Sequence, residues 1–269
     1  MDSLAVPLDT ALDFTGRVVV VTGGTRGLGR GIAEAFLAAG AQVVVCGRHE
    51  PDPEDLPRSP DGTRAAEFVL ADIREADQAR SVIDVTTQRR GRLDVLVNNA
   101  GGSPYVEAAD ASPRFFNSII ALNLLAPFYC AQAANAVLQN QPEGGSIINI
   151  SSVSGVRPTP GAVAYGAAKA GLLNLTQTLS VEWAPKVRVN CVIAGLLDTG
   201  AGADHYGGEA GLARVAATIP LGRMGTPADI TGACLFLASP LAAYVSGSAM
   251  LIHGAGEWPA YLRALQGTD

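Results

Sequence analysis

Basic residues are scarce in this chain: 19 lysines and arginines stand against 25 aspartates and glutamates, for a formal charge of −6 over 269 residues. Without a basic excess to displace counterions, a nucleic-acid partner is not expected. Cysteine and histidine are few as well. Cys46, Cys130, Cys191 and Cys234, like His49, His205 and His253, lie far apart with none of the paired spacing of zinc or redox motifs, so no metal site is expected. No uninterrupted apolar run reaches the ~18 residues of a membrane span, and the acidic start lacks the basic and apolar regions of a secretory signal. The expectation is a cytoplasmic protein with no membrane partner. What is abundant is apolar residue (48%) and glycine (31 residues), enough for one large α/β domain.

Residues 1–13 show no period and read as a surface arm before a single domain over 14–269. Arg17 to Thr22 (RVVVVT) is apolar on both faces, as in a central parallel strand covered by helices on each side. The glycine-rich Thr22-Gly23-Gly24-Thr25-Arg26-Gly27-Leu28-Gly29 follows and opens into a helical pattern that runs to Gly40. A strand, a glycine turn and a helix start in that order offer free N–H groups and the positive end of a helix dipole to a phosphate. Dinucleotide binding is therefore expected.

Gln42 to Gly47 reads as the second strand. NAD sites usually carry a carboxylate at this point to grip the ribose hydroxyls, and here Gly47-Arg48 stands instead. Arg48 and Arg26 together suit an additional 2′-phosphate, so NADP(H) is the preferred cofactor, with NAD(H) possible if they are only solvated surface arginines. Residues 49–64 contain four prolines and read as an irregular surface crossover. Strands at Glu67–Ala71 and Leu93–Val97 flank a helix from Glu75 to Arg89, and the alternation predicts a Rossmann-type doubly wound parallel sheet of about seven strands with helices on both faces. Asn98-Asn99-Ala100-Gly101-Gly102 falls at a strand's carboxyl end, where ligands of such sheets bind.

A long apolar helix from about Pro113 to Leu138 carries Asn123 and offers more apolar surface than one sheet face needs, which predicts a subunit interface. Further strands are read at Ser146–Ser151, Val187–Ile193 and Ala249–Ile252, and helices at Ala162–Trp183 and Pro227–Ala238. The glycine- and alanine-rich stretch at about 195–217 reads as a substrate lid. On the Ala162–Trp183 helix, Tyr165 and Lys169 are four residues apart and share a face, with the pair Ser151-Ser152 about thirteen residues ahead of the tyrosine. A neighbouring ammonium is expected to lower the phenol's pKa and make the pair a proton-handling device.

Taken together, these motifs resemble the short-chain dehydrogenase/reductase family of the Tyr-X-X-X-Lys type over nearly the whole chain. The glycine loop Thr22 to Gly29 matches its Thr-Gly-X-X-X-Gly-X-Gly signature, and Asn98 to Gly101 matches its Asn-Asn-Ala-Gly. The resemblance implies a catalytic tetrad of Asn123, Ser152, Tyr165 and Lys169. It implies a cofactor site formed by Gly23, Thr25, Arg26, Gly27, Leu28, Gly29, Arg48, Asn99, Ala100, Gly101, Tyr165 and Lys169. Asp72 and Ile73 would flank the adenine, and Thr199 with the backbone near Leu197 would hold the nicotinamide carboxamide. The activity implied is interconversion of a carbonyl and a secondary alcohol, in a homotetramer or homodimer built on the two long helices. The chain departs from the family in Ala194-Gly195 for Pro-Gly, Ala255-Gly256 for Gly-Gly, and the proline-rich loop in place of a helix. The small-molecule substrate is left open among 3-oxoacyl thioesters, steroid-like ketones and secondary alcohols, against a wall drawn from Gly102 to Tyr105, Val156 to Pro160, the lid, and the tail with Trp258 and Tyr261. Arg157 either contacts an anionic group or faces water. Enoyl reduction is disfavoured, because the related enoyl reductases space their Tyr and Lys more widely. A non-catalytic nucleotide-binding regulator on the same fold is the alternative.

Overall fold

The computed structural model describes residues 7, 10–200 and 206–266. The β-branched runs become β1 (Val18–Thr22), β2 (Gln42–Gly47), β3 (Glu67–Leu70), β4 (Val95–Asn98), β5 (Gly145–Ser152), β6 (Val187–Ala194) and β7 (Ala249–Ile252). All pair in parallel in the order β3-β2-β1-β4-β5-β6-β7, with Val19 opposite both Val43 and Val95. Chain order reverses between β1 and β4, so a crevice opens at the carboxyl ends of these two strands.

Every residue of β1 is buried, because successive side chains go to opposite faces and both faces are covered. Val19 and Val21 enter one core with Ile32 and Phe36 of α1 (Gly27–Ala38) and Ile230 and Leu237 of α7 (Pro227–Ala238). Val20 enters the other core with Ile83 of α2 (Ala76–Arg90) and Cys130 and Leu138 of α4 (Ala126–Leu138). At the opposite end of the sheet from the crevice, Asp94 accepts hydrogen bonds from Val18 N, Arg17 and Arg92, at 2.8, 2.8 and 2.9 Å. Burial pushes its carboxyl up, but these donors outweigh it and hold the group below the usual carboxylate range.

Four local readings change. The rod from Pro113 to Leu138 is not one regular helix: α3 (Pro113–Ile120) meets α4 through a π turn, Ala121–Leu125. Pro127 supplies the cause, since it has no N–H for the carbonyl of Asn123 four residues earlier and the hydrogen-bond ladder must widen there. By length and apolarity the rod would reach across a membrane, yet Ile119, Ala126, Cys130, Ala131 and Leu138 are buried, as in a core helix. The proline-rich loop is more ordered than expected. It contains a 3-10 turn, Pro53–Asp55, and a bridge between Arg58 and Ala65, and it is fastened to α1 where Arg30 Nη1 donates to the carbonyl of Asp55 at 2.8 Å. Residues 1–6, 8 and 9 of the expected arm lie outside the described residues; its end is pinned, with Ala11 buried and Phe14 edge-on to Phe36 at 5.1 Å. In the expected lid, residues 201–205 lie outside the described residues, and the rest contains a helix, α6 (Gly208–Ala216). The helix α5 (Val163–Glu182) and a tail helix, α8 (Ala260–Gln266), complete the fold.

Candidate active site

The glycine turn lies at the crevice, and its shape depends on residues beneath it. Thr22 ends β1, and its Oγ1 accepts hydrogen bonds from the N–H groups of Asn99 and Ala100, both at 3.0 Å. Asn99 returns the contact, donating Nδ2 to Thr22 O at 2.9 Å, so its side chain supports the turn from behind instead of reaching outward. A Cβ on Gly29 would lie 2.3 Å from Asn99 Nδ2 and from Gly23 O; only glycine lets the first turn of α1 come so close. The N-cap of α1, Arg26, gives no side-chain hydrogen bond to the helix, which leaves the N-terminal N–H groups open to the crevice. Thr199, from the segment after β6, comes to this turn as well: its Cβ is 3.7 Å from where a Gly27 Cβ would be. These residues fit a dinucleotide, because the close glycine contacts leave backbone donors where a diphosphate needs them.

At the far end of the crevice, Arg26 and Arg48 are exposed, and neither guanidinium has a hydrogen bond or ion pair among the described residues. Asp72 is already engaged. Arg74 donates to both of its oxygens and, with a smaller contribution from Arg48, holds its carboxyl below the usual range. The side chain of Ile73 is buried in the core, so only its main chain can face an adenine. Leu28 packs at the edge of the core, Thr25 is half-buried at the turn, and Leu197 pairs with Gly225 by a main-chain bridge.

The four tetrad positions converge from three elements. Ser152 ends β5, Tyr165 and Lys169 stand on the first turns of α5, and Asn123 occupies the π turn. The Ser152 hydroxyl stands beside the Tyr165 phenol, close enough to oppose the upward pull of burial on its pKa. Lys169 is buried; its Nζ donates to Ile150 O at 2.8 Å and lies 5.5 Å from the centre of the Tyr165 ring. Gly101 is the floor between them, since a Cβ there would stand 2.6 Å from Asn123 Oδ1 and 3.2 Å from Lys169 Nζ. All polar side-chain atoms of Asn123 are engaged: Oδ1 accepts from Gly102 N, and Nδ2 donates to Gly102 O and Ile119 O, each at 2.9 Å.

The electrostatics correct one expectation. Tyr165 is not shifted down by Lys169: burial pushes the phenol up, opposed by the Ser152 hydroxyl, and the ammonium points to Ile150 O. The large shift falls on Lys169, which burial pulls down to about 8. Such a site can hold a neutral phenol as a proton donor beside a hydroxyl donor and an amine near its titration point.

The roles of several supporting residues escape motif reading, even where, as at Thr22 and Asn98, the residue itself stands in a motif. Thr22, the carbonyl of Ile150, and the buried series Asn98, Asn149 and Thr176, linked by two hydrogen bonds of 2.9 Å, act beneath the site. A signal was available for Thr22 and Asn98, as polar ends of otherwise apolar strands, and for the π turn, in Pro127. Ser151, next to Ser152, turns inward and donates to Lys169 O at 3.1 Å.

Comparison with known proteins places this geometry. A family model described as enoyl-(acyl carrier protein) reductase matches residues 23–254. An L-fucose dehydrogenase of Bos taurus is 36% identical over 250 residues, covering 91% of this chain and 90% of its own. A 3alpha-hydroxysteroid dehydrogenase of Mediterraneibacter gnavus is 36% identical over 245 residues, covering 89% and 96%. The crystal structure of a short-chain type dehydrogenase/reductase from Mycobacterium marinum superposes with a TM-score of 0.84 at 32% identity, covering 94% of this chain and all of that one.

Proposed function

Because the chain belongs to the short-chain dehydrogenase/reductase family, and so is an NAD(P)-dependent oxidoreductase, we propose that it interconverts a ketone and a secondary alcohol with NADP(H) as the preferred cofactor. The observation that carries this reading is the convergence of Ser152, Tyr165 and Lys169 beside the glycine turn. Gly23, Thr25, Arg26, Gly27 and Gly29 hold the diphosphate, with Thr199 closing over it; Arg48 and Arg26 take the 2′-phosphate, and NAD(H) is used less well. When bound, the nicotinamide supplies the hydride.

The protein's own task is the proton and the oxygen. Tyr165, kept neutral by burial, donates its proton to the oxygen of the carbonyl as negative charge develops there. Ser152 donates a hydrogen bond to the same oxygen. Lys169 holds the ribose hydroxyls and favours the phenolate left behind. Asn123 acts through its main-chain carbonyl, which Pro127 deprives of its four-residue partner, and positions a water between Lys169 and solvent. Leu28, Asn99, Ala100 and Gly101 shape the cofactor crevice, Asp72 and Ile73 border the adenine, and the main chain at Leu197 meets the carboxamide.

The substrate wall is largely apolar, which favours a steroid-like ketone, a 3-oxoacyl thioester or a comparable alcohol; the named relatives act on a steroid and on a sugar. A single domain over 14–269, a cytoplasmic location and a homotetramer or homodimer belong to the same reading. Replacing Tyr165 by Phe tests it: NADPH oxidation with a ketone panel should fall at least about a hundred-fold while cofactor affinity stays within a few-fold. A variant that turns over at the wild-type rate overturns the assignment.

A further inference from the structure

Three chain segments meet around the substrate side of the crevice. The first is the loop after β5: Val153–Gly155 form a 3-10 turn after Ser152, and the N–H of Arg157 donates back to Val153 O at 3.1 Å. Arg157 is thereby held at a fixed distance from the serine. The second is the segment after α6, with Thr218 and Leu221. The third is the tail after β7, which turns sharply through Gly254, Ala255 and Gly256, at φ values of 63°, 72° and 79°. Ala255 is the one non-glycine residue with positive φ among the described residues, a conformation that L-residues rarely adopt. A strained turn persists where its neighbours hold it.

The neighbours are identifiable. Leu221 N donates to Gly254 O at 3.3 Å, and Trp258 N donates to Thr218 O at 3.1 Å, so the tail is stitched to the segment after α6 at the turn and just beyond it. Glu257, between these stitches, points the other way and accepts from Arg157 Nη2 at 2.6 Å. One ion pair therefore joins the tail, together with the segment after α6, to the loop that follows Ser152. Arg157 is neither free for an anionic substrate nor merely solvated.

We propose that the Arg157–Glu257 ion pair is a latch that sets the width of the substrate mouth, and so limits the size of the carbonyl compound admitted to Ser152 and Tyr165. The inference rests on the ketone-reductase reading above. Both partners are partly exposed, at 42% and 27%, so the latch opens at modest cost and weakens as salt screens it. A small ketone passes in either state; a polycyclic one needs the latch open.

The test compares kcat/KM for a small aliphatic ketone and a polycyclic ketone, with NADPH saturating. Glu257→Gln should raise the bulky-to-small ratio roughly two- to five-fold, the range of an exposed ion pair, and leave the small-ketone value unchanged. The reversed pair, Arg157→Glu with Glu257→Arg, should return the ratio to that of the wild type. High salt should raise the ratio in the wild type and not in Glu257→Gln. Trp258 gives a readout independent of turnover: in a Trp183→Phe background, Glu257→Gln should increase its quenching by acrylamide. An unchanged ratio overturns the latch, and so does a reversed pair that behaves like the single variant. A wild type that reduces no ketone overturns the functional reading instead, and quenching of Trp258 still reports whether the pair holds the tail.

Discussion

Lys169 shows how far a residue's chemistry depends on what surrounds it. A lysine four positions after a tyrosine is readable in sequence, and so is their shared helix face; that the ammonium is buried and turned to Ile150 O is not. Burial brings its pKa down to about 8, below the ordinary lysine value. Between those two values the unfolded chain holds the proton and the folded protein does not, so the contribution of Lys169 to stability is lowest below pH 8 and rises with pH above it. Compared with Lys169→Met, the wild type should gain about 2 kcal/mol in unfolding free energy between about pH 7 and about pH 9.5, measured by urea titration. Parallel pH profiles would contradict the burial argument. Arg48 is the opposite kind of residue, exposed and without a hydrogen bond or ion pair among the described residues, so its value lies in what it binds. Arg48→Ala should raise KM for NADPH roughly ten-fold or more and leave KM for NADH nearly unchanged, since only a 2′-phosphate makes charge-assisted bonds to it. A wild-type preference for NADH refutes that reading.

At the scale of elements, the unit of strand, glycine turn and helix was legible because each part has a local cause: β-branched residues, glycines that a side chain would exclude, and an apolar helical period. Its partners were not. Gly29 meets Asn99, seventy residues later, and the contact leaves no room for a methyl group. Gly29→Ala should therefore displace the turn and weaken NADPH binding by more than about ten-fold, read by fluorescence titration, with the sheet intact by circular dichroism. Binding at the wild-type level would mean that the close approach is not needed. The rod with Asn123 reads in sequence as one helix because its apolar pattern runs unbroken, and the π turn follows from the N–H that Pro127 lacks. The proline-rich loop was read correctly as lacking a regular helix, but its turn, its bridge and its bond to Arg30 depend on residues brought together across the fold.

For the molecule as a whole, the exposed apolar residues that remain on and beside α5, Leu125, Val163 and Val181, support an assembly through the long helices. Sedimentation at micromolar concentration should give a dimer or tetramer, and a monomer alone would contradict this arrangement. The sequence by itself determined the parallel α/β sheet and the strand, glycine turn and helix at its crevice, and its motifs point to Ser152, Tyr165 and Lys169, because each rests on local periodicity or on residues in a fixed order and spacing. Only the tertiary structure decided which way Lys169 points, why the Tyr165 phenol is shifted up and not down, what Asn99 supports and where Arg157 finds its counter-charge. Those outcomes depend on burial and on contacts such as that between positions 157 and 257, and desolvation and distance are properties of the packed fold, to which local spacing is blind.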